Sequence, residues 1–333
     1  MKLDRRVQLL DLVMRRGGYR IRDARTLADV QAIRAKRDAG DGPLGAIVGW
    51  VGRSIVGTVA AGVTIDHLEV PGADGPLRVR RYRTHASALD APLVVNFHGG
   101  GFVLGDLDGN DWYCSTLVAL TGAVVVSVDY RLAPEDPAPA AASDCIAATS
   151  WLAEHAAELG ASGPLVVTGD SAGGNLAALV AVAARDAGGP PIALQALIYP
   201  ATDLTMSFPS TVELADAPIL GRADMDAFVR HYLGPDGDPA DPAVSPHHVE
   251  DLTGVAPALV QTAEHDPLRD EGRAYADRLR EAGVPTRWTE YAGVPHGFVS
   301  LPGICRSAHQ AVAEIAQAIG SLDVADRLAA RPR

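Results

Sequence analysis

The sequence predicts an α/β protein built on a mostly parallel eight-stranded sheet flanked by helices. Three observations lead there. From residue 92 onward, short β-branched runs alternate with helical stretches. Those runs are continuously apolar, which marks strands covered on both faces. A turn-rich segment, Pro71-Gly72-Ala73-Asp74-Gly75-Pro76, joins two earlier runs as an antiparallel hairpin. At 333 residues the chain is long enough to bury a substantial core, and one large domain over 1–333 is the organisation expected.

Taken in order, Leu3 to about Arg37 reads as two helices separated near Gly17-Gly18. A loop from Asp38 to Pro43 leads into an apolar, Gly-rich segment, Pro43 to Ile65, with Arg53 as its single charge. A central arginine costs roughly 2.5–3.5 kcal/mol on membrane insertion, and glycines weaken a helix. The segment is therefore expected to be a buried or interfacial cover, with no stable membrane insertion. Strands are predicted at 64–70, 77–84, 92–97, 123–129, 164–168, 193–199, 257–263 and 285–291. Helices are predicted near 109–120, 140–159, 174–186, 269–282 and 306–320. Residues 203–248 break this rhythm: the stretch is rich in Pro and Asp, holds one helix near 222–233, and is too long for a plain connection. Together with residues 1–60 it is expected to form a helical cap over a site at the carboxyl ends of the strands.

The formal net charge of −12 argues against a nucleic-acid partner or an anionic membrane surface, both of which reward clustered Lys and Arg. A small neutral or mixed molecule is the more natural substrate. Cys114, Cys145 and Cys305 are far apart and form no C-x-x-C pair, so neither a disulfide framework nor a zinc cluster is indicated, and a reducing cytoplasm is expected. The first residues, with a short apolar stretch broken by Asp11, read as an amphipathic helix and not as a secretory signal. The sequence is compatible with a homodimer.

The chemistry centres on Gly169-Asp170-Ser171-Ala172-Gly173-Gly174-Asn175, between a β-branched run and a helix-forming one. The spacing Gly-x-Ser-x-Gly fits a sharp strand-to-helix turn that lifts the Ser171 hydroxyl above the sheet beside the positive end of a helix, an arrangement suited to acyl transfer. His98-Gly99-Gly100-Gly101-Phe102 ends the 92–97 strand, and its bare backbone N–H groups suit an oxyanion hole. No Gly-Lys-Ser/Thr follows, and no G-x-G-x-x-G spacing fits, so the phosphate-loop and dinucleotide readings fail. A serine nucleophile needs a base and an orienting acid. His296, on a turn just past the 285–291 strand, is the histidine best delivered to the carboxyl edge. Asp266, fixed by Pro267 at the end of the 257–263 strand, is the preferred acid, with Glu264 the competitor. Asp270 and Glu271 fall in the next helical turn and complement its dipole.

HGGGF at 98–102, YRLAPE at 130–135, GDSAGGN at 169–175, DPLRDEG at 266–272 and HGF at 296–298 occur in that order over roughly residues 64–320. This motif set resembles that of the hormone-sensitive-lipase-like family of bacterial carboxylesterases, within the α/β-hydrolase fold. The resemblance implies Ser171, Asp266 and His296 as a catalytic triad, and an oxyanion hole from the backbone N–H groups of Gly100, Gly101 and Ala172. It implies short- to medium-chain esters as substrates, with no metal or organic cofactor. Amidase, peptidase or acyltransferase chemistry on the same triad remains the alternative. A non-catalytic receptor, as in the related plant gibberellin receptors, would be expected to have lost part of the triad. Two features depart from the family: Asp136 stands where members commonly carry His, and the Gly-rich stretch at 43–62 matches no family pattern. Arg131 and Glu135 of YRLAPE are expected to form an ion pair that braces the site loops.

Overall fold

The computed structural model describes residues 3–38, 54–85 and 90–329. Its strands are β1 (Val63–Gly72), β2 (Gly75–Thr84), β3 (Leu93–Phe97), β4 (Val124–Val128), β5 (Leu165–Asp170), β6 (Ile192–Ile198), β7 (Ala258–His265) and β8 (Thr286–Pro295). They form one eight-stranded sheet in the order β1-β2-β4-β3-β5-β6-β7-β8. β1 and β2 pair antiparallel around a two-residue turn, with Gly72 opposite Gly75, and β2 joins β4 antiparallel. All remaining neighbours are parallel. This is the α/β-hydrolase fold.

The helices are α1 (Arg5–Gly17), α2 (Leu27–Asp38), α3 (Asp111–Thr121), α4 (Ala140–Glu154), α5 (Ala156–Leu159), α6 (Ala172–Ala187), α7 (Pro209–Glu213), α8 (Arg222–Leu233), α9 (Arg269–Glu281) and α10 (Ser307–Ala329). Their ends follow local chemistry. Asp4 caps α1 by accepting from the Arg6 N–H at 2.8 Å, and Gly18 closes it in the left-handed conformation. α6 ends on Gly188 in the same way.

Successive side chains on a strand point to opposite faces, so a strand covered on both sides must be apolar throughout. In β3, Leu93, Val95 and Phe97 join a core that includes Cys145 of α4, Leu176 of α6 and Ala276 of α9. Val94 joins the opposite core, with Leu117 of α3, Ile315 of α10 and Val7 of α1. The layers are therefore helix, sheet, helix, and the polar ends of the parallel strands meet above them.

The N-terminal segment and the 203–248 excursion pack on each other. The Arg20 guanidinium is ion-paired to Asp224 of α8, Arg22 reaches the same carboxylate at 2.7 Å, and Arg230 donates to the Ala24 carbonyl at 2.8 Å. α8 in turn stacks Tyr232 on Phe102, with ring centroids 3.8 Å apart. Residues 43–53 of the Gly-rich stretch lie outside the described residues. Among those described, no helix is long and apolar enough to cross a membrane.

Candidate active site

Four strand ends supply the site. β5 runs into Ser171, whose φ of 57° is sparsely populated for a residue with a side chain and costs about 1–3 kcal/mol. The surroundings hold it there: the Ser171 N–H donates to the Ile198 carbonyl at 2.9 Å, and Asn175 of α6 donates back to the Ser171 carbonyl at 3.1 Å. A Cβ on Gly173 would collide with the Phe97 carbonyl of β3, so only glycine lets α6 start this close to the sheet.

β8 ends at His296 and β7 leads to Asp266. Asp266 Oδ2 lies 2.7 Å from His296 Nδ1, and His296 Nε2 lies 2.9 Å from Ser171 Oγ. An ionised carboxylate only accepts, so the imidazole proton sits on Nδ1 and the Nε2 lone pair accepts from the serine hydroxyl. Asp266 is fully buried, with Oδ1 taken by the Leu268 N–H at 2.9 Å, while Ser171 and His296 retain 9% and 7% exposure. Tyr199 packs edge-on against the imidazole at 4.8 Å between centroids. The structure thus brings together Ser171, His296 and Asp266. Glu264 turns elsewhere, accepting the Gly293 N–H at 2.6 Å and bracing the strand that carries His296.

β3 runs into the glycine loop. His98 Nδ1 is 2.8 Å from the Gly99 carbonyl, and its ring stacks on Tyr130, whose hydroxyl donates to the His98 carbonyl at 2.7 Å. Gly100 has φ 125°, and a Cβ there would strike the Leu104 carbonyl. Among the described residues, no acceptor within the chain takes the N–H groups of Gly100, Gly101 or Ala172. Asp170 fastens the loop to the elbow: its Oδ1 accepts from Gly99 N–H at 2.8 Å and from Asn110 Nδ2 at 3.3 Å. Asn110 is held in turn by Asn96 of β3 at 3.1 Å. Burial pushes the Asp170 carboxyl above its usual range, and the Gly99 N–H pulls it back. Sequence reasoning missed Asp170 and Asn110; the adjacency of Asp170 to Ser171 was the available signal.

Two expectations need correction. Arg131 and Glu135 do not pair with each other. Arg131 binds the fully buried Asp144 of α4 through Nε and Nη2, at 2.8 and 2.9 Å, whereas Glu135 takes Arg34 of α2 at 2.8 Å. Leaving a fully buried carboxylate without a cation is more costly than leaving a partly exposed one, which favours Arg131 at Asp144 over Arg131 at Glu135. The same Arg34 donates to the Val103 and Ala133 carbonyls at 2.9 and 2.7 Å, tying α2 to the glycine loop.

Glu271 falls in the first turn of α9 as expected, but in place of complementing the helix dipole as a charge it is fully buried; its Oε1 accepts from Thr202 and Asp203 N–H at 2.7 and 3.2 Å. Burial raises its carboxyl well above the ordinary range. A native state that keeps a proton the unfolded chain releases loses stability as pH rises above the unfolded value, about 4.3, by at most about 1.4 kcal/mol per pH unit. Glu271→Gln retains the accepting oxygen and cannot ionise. Its stability relative to wild type, measured by urea unfolding at pH 5 and pH 7, is expected to be greater at pH 7; a pH-independent difference would contradict the buried neutral acid.

His248 Nε2 pairs with Asp203 at 2.9 Å, and His247 packs edge-on against Phe208. Among the described residues, no cluster of three or more His, Cys, Asp or Glu side chains is arranged to hold a metal ion.

A strand-to-helix elbow carrying Ser171 after β5, with a carboxylate after β7 and a histidine after β8 brought to it across this sheet, is the arrangement of an α/β hydrolase. In line with this, a family model described as the α/β hydrolase fold matches residues 94–300. The chain is 46% identical over 248 residues to the esterase LipI of Mycobacterium tuberculosis (strain ATCC 25618 / H37Rv), covering 73% of this chain and 78% of that one. It is 44% identical over 247 residues to the carboxylesterase NlhH of the same strain, covering 72% and 77%. Its structure resembles that of a hyperthermophilic esterase from the archaeon Pyrobaculum calidifontis, with a TM-score of 0.84 and 38% identity over 97% of this chain and 100% of that one. The chain belongs to the hormone-sensitive-lipase-like family of α/β-hydrolase carboxylesterases.

Proposed function

We propose that the chain is a serine carboxylesterase in which Ser171 is the nucleophile, His296 the general base and acid, and Asp266 the group that orients the imidazole. The observation carrying this reading is the hydrogen-bonded sequence from Asp266 through His296 to Ser171 Oγ, at 2.7 and 2.9 Å. Ser171 Oγ attacks the ester carbonyl as its proton passes to His296 Nε2, and Asp266 stabilises the imidazolium. The oxyanion is received by the N–H groups of Gly100, Gly101 and Ala172, the last on the first turn of α6, where the helix dipole favours negative charge. The C–O bond then breaks, the alcohol leaves with the proton from Nε2, and water repeats the sequence on the acyl-enzyme. None of these steps requires a cofactor. The net charge of −12 speaks against nucleic acid as a partner, and the free thiols of Cys114, Cys145 and Cys305 fit a reducing compartment such as the cytoplasm.

Residues 1–60 and 203–248 are the proposed cap of a single domain. The contacts of Arg20, Arg22 and Arg230 across them, and of Tyr232 on Phe102, support a closed pocket in place of an open lipid-binding face. Each buried methylene gains about 0.8 kcal/mol only while the pocket has room for it. For p-nitrophenyl esters from acetate to palmitate, kcat/KM is expected to peak at roughly C4–C8, with no jump on emulsification. A maximum at palmitate, or activation above the solubility limit, would make the enzyme a true lipase. Running the matching anilides beside the esters separates esterase from amidase, and esters are expected to be the faster class.

A further inference from the structure

Besides Tyr232 and Phe228 of α8, which lie against the glycine loop, the 203–248 excursion reaches the base and acid loops through two consecutive residues, Ile219 and Leu220. Ile219 lies 3.7 Å from the position of a Cβ on Gly297, the residue after His296, and packs on the core that contains Tyr199, Val294 and Phe298. Leu220 packs with Leu268, two residues after Asp266. One short turn therefore touches both the loop of the base and the loop of the acid.

The turn is strained. Ile219 has φ 70°, and the Leu220 N–H donates back to the Pro218 carbonyl at 2.9 Å, which makes Pro218–Leu220 a γ-turn of the rare positive-φ kind. A β-branched residue is an outlier in that region and needs an external hold. The hold comes from α1, since the Ile219 N–H donates to Asp11 Oδ1 at 3.0 Å across 208 residues of sequence. Asp11 is only 8% exposed and is itself fixed from two sides, by Arg20 Nη1 at 2.5 Å and Arg15 Nε at 2.6 Å. Arg20 continues into Asp224 of α8, and Arg15 also donates to the Asp216 carbonyl at 3.3 Å.

We infer that Asp11 is a positioning residue for substrate selection: by accepting the Ile219 N–H it keeps the γ-turn in its strained form and sets Ile219 and Leu220 as walls beside His296 and Asp266. Without that acceptor the turn relaxes to negative φ, Ile219 swings off the base loop, and the pocket admits longer acyl groups. This inference rests on the reading of Ser171, His296 and Asp266 given above.

The test is a double-mutant cycle on substrate preference, which loss of stability alone does not move. kcat/KM is measured for p-nitrophenyl butyrate and laurate in wild type, Asp11→Ala, Ile219→Ala and the double variant, with Tm recorded for each. Asp11→Ala and Ile219→Ala are each expected to shift the laurate-to-butyrate ratio about tenfold toward laurate, mainly through KM. The double variant should go no further than Ile219→Ala, because Asp11 acts through Ile219. Asp11→Asn, which keeps an accepting oxygen but loses the charge, should lower Tm and leave the ratio near wild type. An additive double variant, or Asp11→Ala with a lowered Tm and an unchanged ratio, overturns the inference. If Asp11→Ala does not fold, Asp11→Ala with Arg20→Met removes the Asp11–Arg20 pair, leaves Asp224 to Arg22, and carries the same readout. Ser171→Ala run in parallel separates the two failures: an active Ser171→Ala defeats the underlying mechanism, whereas an inactive one beside an additive cycle defeats only the role of Asp11.

Discussion

Ser171→Ala is expected to lower kcat for ester hydrolysis by about 10⁶-fold, the scale seen when a serine protease loses its nucleophile. Oγ is the atom that bonds to the acyl carbon, and no neighbour replaces it: His296 Nε2, 2.9 Å away, is placed to take a proton. The fold should persist, because the elbow is held by the Ser171 backbone contacts to Ile198 and Asn175, which alanine keeps. Substrate binding should persist as well, so the loss falls on kcat and little on binding. The check is single-turnover and steady-state hydrolysis of p-nitrophenyl butyrate by variant protein whose Tm matches wild type. Turnover near wild type in such a preparation would remove Ser171 from the mechanism.

Asp266→Asn is expected to cost about 10³–10⁴ in kcat, and Glu264→Gln far less. Asparagine presents an N–H₂ or a carbonyl to His296 Nδ1. If it donates, the imidazole proton moves to Nε2, the wrong tautomer for accepting from Ser171; if it accepts, the charge that stabilised the imidazolium is still lost. Glu264 has a different duty, accepting the Gly293 N–H at 2.6 Å, and its amide can still accept there. Steady-state rates of the two variants, compared at matched Tm, decide between the acids. The reverse ranking would transfer the orienting role to Glu264.

The two acids show where local sequence information stops. Glu264 and Asp266 are two residues apart at the end of one strand, so an ideal strand would aim both the same way. The register shift between Ala263 and His265 breaks that equivalence, sending Glu264 to Gly293 and Asp266 to His296. An irregularity of two residues in a parallel pair depends on how β7 meets β8, and no property of the segment alone reports it.

By itself the sequence determined what is local or periodic: the apolar strands and their helices, the hairpin at 71–76, the elbow around Ser171 and the glycine loop after His98. Each of these is dictated within about ten residues by side-chain period, by turn chemistry, or by a Cβ that has no room. The tertiary structure alone decided the pairings between distant charges: Arg131 with Asp144 in place of Glu135, Arg34 with Glu135, and Glu271 drawn inside to hold Thr202 and Asp203. It also decided that Asp11 meets Ile219. A charge in a sequence has no preferred partner. Once folding removes water from around it, desolvation makes the nearest well-aligned opposite charge or N–H obligatory, and which group that is depends on the packing of the whole chain.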